Sequence, residues 1–119
     1  LCITRFANTA SGVPQTPEYG CGLTVDVPLK VDRTITPAGM TGSRTINKPG
    51  GTVNFAPGTS AIRVTNSFAE KDSIVLPVIR TNDATCTNVR SVVPAAGSFV
   101  ITLNANCTGE ASVGFLVTN

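Results

Sequence analysis

Residues 50–119 consist of short segments in which apolar and polar side chains alternate, with turn residues between them. Phe99, Ile101 and Leu103, for example, are separated by smaller or more polar residues. Alternation with a period of two is typical of strands buried on one face, and connections of hairpin length join antiparallel neighbours. The sequence has no segment with the period of a helix. The six predicted strands are 52–55, 60–66, 73–80, 87–93, 98–104 and 111–118.

This pattern predicts an all-β fold, with a small antiparallel sandwich or barrel-like domain over residues 50–119. The segment 73–80 differs from the others because it is apolar on both faces, with Ile74, Leu76 and Val78 on one of them. A strand of this kind either lies in the centre of a two-layer fold or lies under a partner chain.

Residues 1–49 are rich in turn residues and poor in apolar ones. Proline fixes φ and glycine permits positive φ, so their clusters separate extended pieces such as 23–27 and 29–35. We therefore predict an extended anchoring or edge-strand segment over 1–49, followed by the β domain over 50–119.

Composition excludes several classes of function. The chain has no His, which removes every His-based catalytic or zinc site. Its net charge is only +2, without a cluster of basic residues, so nucleic acid is not an expected partner. No apolar run approaches the roughly 18–20 residues of a membrane span, and residues 1–5 carry no signal-peptide pattern. Without a motif for a nucleophile, a phosphate or a metal, we expect no cofactor and no enzymatic activity.

The four cysteines allow three intrachain pairings. Cys86 and Cys107 flank a hairpin predicted to turn at 94–97; with Val93 opposite Ser98, they lie diagonally on one face, and a small bulge would let them bond. Cys2 and Cys21 either close the N-terminal segment or, through Cys2, bond a neighbouring chain. Four free thiols remain the alternative.

Candidate interface residues come from two features. Arginines lie on predicted strands of a domain that is otherwise poor in charge, and arginine is favoured at interfaces because its planar fork pairs with carboxylates. The doubly apolar segment supplies the rest. The candidates are Arg63, Arg80, Arg90, Ile74, Leu76 and Val78.

The stretch from about residue 36 to residue 119 resembles the C-terminal β-rich domain of tailed-phage virion structural proteins, of the tail-fibre, head-fibre or decoration type. The resemblance rests on the order of several turn-containing motifs and on their ending at the C-terminus. The motifs are TPAG at 36–39, RTINKPGGTVNFA at 44–56, VTNS at 64–67, RTNDAT at 80–85, VVPAAGSF at 92–99 and SVGFLVTN at 112–119.

This resemblance implies a capsid decoration, collar or head/tail-fibre component on the surface of a bacteriophage virion. It further implies a homotrimer, with the major capsid, neck or tail proteins of the same particle as partners. Two alternatives stay open: a receptor- or glycan-binding tip that contacts a host surface, and a fimbrial or surface adhesin subunit.

Overall fold

The computed structural model of the chain describes residues 5–6, 17–18 and 30–119. Two compact units are present, Leu1–Lys30 and Val31–Asn119. In the first, β1 (Arg5–Phe6) and β2 (Pro17–Glu18) form an antiparallel pair, with Arg5 opposite Glu18. The predicted strand-like piece 23–27 and both Cys2 and Cys21 lie outside the described residues.

The second unit is a sandwich of two four-stranded sheets. The first sheet, here the β10 sheet, has the order β3-β5-β10-β7, and the second, the β9 sheet, has the order β4-β6-β9-β8. The strands are β3 (Arg33–Thr34), β4 (Arg44–Thr45), β5 (Gly50–Phe55), β6 (Ala61–Thr65), β7 (Ile74–Ile79), β8 (Val89–Ala95), β9 (Ser98–Leu103) and β10 (Ala111–Thr118).

The inward residues of the two sheets form one core. On β9 and β10 the apolar positions predicted to face inward are buried, because successive side chains of a strand point to opposite faces. Phe99 and Phe115 meet at the centre with ring centroids 5.0 Å apart in an edge-to-face arrangement. The buried apolar residues of the core are Ile46, Val53, Phe55, Ile62, Val64, Ala69, Val75, Cys86, Phe99, Ile101, Leu103, Cys107, Ala111, Val113, Phe115 and Val117.

The all-β prediction is confirmed, and each of the six predicted strands coincides with a strand of the structure, to within a few residues at either end. The sheets are mixed and not purely antiparallel, because the short strands β3 and β4 run parallel to β5 and β6. These two strands come from the predicted anchoring or edge-strand segment and form an edge of each sheet. They explain why the compact unit begins at Val31 and not at the predicted boundary of residue 50.

Strand β5 is buried along its whole length, including its outer face. The chain that follows β3 lies against it: the Thr36 N–H donates to Thr52 Oγ1 (2.9 Å), and the Asn54 amide donates to the Pro37 carbonyl (2.9 Å). Gly51 faces inward, where a Cβ would lie 2.8 Å from the Thr34 carbonyl oxygen. A residue without a side chain at this position therefore permits the close approach of β3.

The hairpin of β8 and β9 differs in register from the prediction. Ala95 pairs with Ser98 and Val93 pairs with Val100, so the predicted pairing of Val93 with Ser98 is wrong by two residues. Strand β8 continues through Pro94, and a tight turn at Gly97 (φ 80°) reverses the chain. A register shift lies between β8 residues 89 and 91, towards the open end of the hairpin.

Candidate functional site

The most unusual surface of the sandwich is the outer face of β7. Ile74, Leu76 and Val78 are 65%, 53% and 59% exposed, whereas the alternate residue Val75 is buried in the core. Strand β7 is an edge strand of the β10 sheet, so the first of the two interpretations, a central strand, is wrong. The alternative, that a partner chain covers it, stays a prediction. The structure thus brings three of the six interface candidates into one row, and a fourth, Arg80, directly follows the strand.

The neighbouring strand extends this apolar row into a face. Leu116 of β10 pairs with Leu76, and Gly114 pairs with Val78. A Cβ at Gly114 would lie 3.3 Å from Val78 Cγ1, so the valine leans over the glycine. Leu116 thus adds a fourth apolar side chain beside Ile74, Leu76 and Val78, and Gly114 adds none.

Arg80 stands at the end of the same row. Its guanidinium donates to Ser112 Oγ of β10 (3.2 Å), which holds the side chain across the sheet. Among the described residues the only ion pair joins Lys48 to Asp32 (2.9 Å), so Arg80 has no carboxylate partner there. The other two arginine candidates, Arg63 on β6 and Arg90 on β8, belong to the β9 sheet, so the structure does not gather the three arginines.

The free edge of β7 lacks a central hydrogen-bond donor. The Arg80 N–H donates to the Ser112 carbonyl of β10 (2.8 Å). Because hydrogen-bonded and non-bonded pairs alternate in an antiparallel ladder, the backbone at Pro77 faces away from β10 and towards the free edge. Proline has no N–H, so this edge is a poor template for another strand.

A covalent and polar cluster joins the loops at the far end of the β8–β9 hairpin. Cys86 and Cys107 form a disulfide with an S–S distance of 2.08 Å, and both are buried. The predicted pairing of these two cysteines is therefore confirmed. The observed register pairs Ala95 with Ser98. When this pairing is continued along the hairpin, Cys86 and Cys107 lie within one residue of directly opposite positions.

Asp83 organises the backbone around this disulfide. Its carboxylate accepts hydrogen bonds from the N–H groups of Thr85 (2.9 Å), Cys86 (3.2 Å) and Gly109 (3.0 Å), and from both the N–H and the hydroxyl of Thr108. These donors, first among them the Thr85 N–H, hold the pKa of Asp83 well below its usual range. This role was not predicted from the sequence, although an Asp side chain in a turn commonly accepts from the backbone N–H two residues further on.

Asn104 closes the same region. Its side-chain oxygen accepts from the Thr87 N–H (2.9 Å), and its amide donates to the Thr85 carbonyl (3.0 Å). The side chains of Asp83 and Asn104 are thus both hydrogen-bonded to backbone groups of the loops. Such an arrangement fixes the shape of the loops; it does not leave these polar groups directed at a ligand.

The described residues contain no group of three or more His, Cys, Asp or Glu side chains that could hold a metal ion. In the same part of the chain every buried side-chain nitrogen or oxygen has a hydrogen-bond partner. Phe68, in the turn after β6, is an exposed aromatic residue. The surface that remains as a candidate for function is therefore the outer face of β7 and β10.

Comparison of the chain with models of protein families, with curated proteins and with solved structures gives no match. In the described part of the chain no helix has the length and apolar character needed to cross a membrane.

Proposed function

We propose that this protein is a structural subunit of a bacteriophage particle, a capsid decoration, collar or head/tail-fibre component, which works by associating with other subunits. The observation that carries the proposal is the row of Ile74, Leu76 and Val78, all more than half exposed on one strand face. Contiguous exposed apolar surface is typical of sites of protein–protein association.

The rigid loop cluster agrees with such a role. A subunit exposed on a particle gains stability from a disulfide, because the cross-link restricts the unfolded chain and persists in oxidising surroundings outside the cell. The Cys86–Cys107 bond and the Asp83 hydrogen bonds fix the end of the sandwich without directing a reactive group outwards. The phage context itself rests on the sequence resemblance, and the homotrimer that the resemblance implies stays a prediction.

Sedimentation equilibrium of the purified chain, with and without reductant, tests self-association. We expect a mass above that of one chain which persists in reductant, since apolar contacts and not interchain disulfides join the subunits. A single-chain mass at every concentration would contradict self-association.

The particle location needs a separate experiment. We expect antibodies against the sandwich to label, in a regular pattern, the surface of phage particles released by the cells that produce this chain. Recovery of the chain only in particle-free fractions would refute a virion role. Binding of the purified chain to a glycan array would instead support the receptor-binding alternative.

A further inference from the structure

The outer row of β7 is flanked by two residues of opposite charge. At alternate positions of the sequence, Asp72 and Arg80 enclose the three apolar residues of this row, Ile74, Leu76 and Val78. Ile74, Leu76 and Val78 lie on the strand, with Asp72 in the exposed turn before it and Arg80 directly after it. Neither charged residue is in an ion pair within the described part of the chain.

This order is self-complementary when two copies meet with their β7 strands antiparallel. A two-fold axis at Leu76 places each Leu76 against its counterpart and Ile74 of one copy against Val78 of the other. The same axis places Asp72 of each copy beside Arg80 of the other, so both charges find opposite partners twice. Isologous contacts require this kind of self-complementary surface, and a parallel arrangement would bring like charges together.

The strand geometry favours contact through the face and not through the edge. Extension of the β10 sheet by a second β7 would need donors along the free edge, where Pro77 has none. The outer face of Leu76 and Leu116 presents apolar side chains and no such requirement.

We infer that two copies of this chain pair face to face through the outer row of β7, about a two-fold axis at Leu76. The inference deepens the proposed function and rests on its claim of self-association. Only β7 and β10 present an uncovered outer face, since that of β5 is buried. Two strands about 4.8 Å apart and six residues of about 3.4 Å each give a face near 200 Å². Stable interfaces bury about 800 Å² per partner, so the pair is weak and concentration-dependent. On a particle, many copies held close together would make such a contact effective.

The test uses charge reversal, with all proteins in a C2A/C21A background that removes interchain bonds through those cysteines. Sedimentation equilibrium of the parent should show a monomer–dimer equilibrium. Asp72→Arg and Arg80→Asp should each weaken the dimer at least about tenfold, because each reversal acts at two symmetric contacts. Mixing the two variants should restore a heterodimer, because every contact then joins opposite charges. Arg63→Asp, on the outer face of the other sheet, is the matched control and should leave the dimer unchanged.

The outcomes separate this inference from the wider proposal. If neither charge reversal weakens the dimer, or if the mixture of the two variants forms no heterodimer, the two-fold contact is overturned. A trimer also overturns it but keeps self-association and the virion role. A monomer at all concentrations overturns both the contact and self-association, while particle labelling still decides the virion role independently.

Discussion

Reduction of the Cys86–Cys107 disulfide should destabilise the Val31–Asn119 unit by about 3 kcal/mol. The bond joins residues 21 positions apart. A cross-link restricts the unfolded chain, and for a loop of this length the lost entropy corresponds to about 3 kcal/mol at 25 °C. Because 1 kcal/mol changes the Tm of a small domain by about 4–8 °C, we expect a decrease of roughly 12–24 °C.

Differential scanning calorimetry is the suitable assay, since the chain has no Trp and a single Tyr to report unfolding by fluorescence. In a C2A/C21A background, reductant acts on this one pair and changes no side-chain volume. C86A/C107A should have the Tm of the reduced protein and should not respond further to reductant. A difference below about 4 °C between the oxidised and reduced forms would refute the reasoning, because the loop constraint would then contribute less than about 1 kcal/mol.

Three further predictions concern the interior and the loop cluster. Gly51→Ala should lower the free energy of unfolding in urea by about 1–3 kcal/mol, because its Cβ would lie 2.8 Å from a backbone oxygen. Gly109→Ala has open space around it, so its free energy of unfolding should stay within about 0.5 kcal/mol of the parent. Phe99→Ala should lower the free energy of unfolding by about 3–5 kcal/mol, because it leaves a cavity at the centre of the core. Phe68 is exposed, so Phe68→Ala should lower it by about 0.5 kcal/mol or less. Asp83→Asn should lower the Tm at pH 7. The pKa of Asp83 is depressed in the folded protein, so its contribution is present above the ordinary value of about 3.9 and declines as the pH falls below it. The Tm difference between parent and variant should therefore narrow from pH 4 towards pH 2, and a constant difference would contradict the assignment.

The sequence predicts the strands well because their signal is local. Alternation along Ala111–Thr118 is complete within one segment, and this strand has the predicted bounds. The parallel pairings of β3 and β4 have no such signal, since each covers two residues and depends on a partner far along the chain. Two-residue strands are too short for a period of two to appear.

The candidate surface was predicted only in part for a related reason. A doubly apolar segment predicts that β7 is covered on both faces, but composition alone does not distinguish a central strand from an edge strand that awaits a partner. The role of Asp83 was missed because its partner Thr108 lies 25 residues away and becomes a neighbour only through the hairpin. The disulfide was predicted because both cysteines belong to that one hairpin, where a register error of two residues leaves them close together.

Folding and self-association depend on residues that are neighbours in β7 but whose side chains lie on opposite faces of the sheet. Experiments can therefore separate the two properties. Val75 faces the core and Leu76 faces outwards. Val75→Asp places an unpaired charge among apolar side chains and should unfold the sandwich. Leu76→Asp loses only strand propensity in the monomer, about 1 kcal/mol, and so should lower the Tm by no more than about 8 °C while it abolishes the dimer. Circular dichroism and sedimentation equilibrium measure the two effects independently. Equal unfolding of both variants would mean that Leu76 belongs to the core, and the outer row of β7 would then not be an interface.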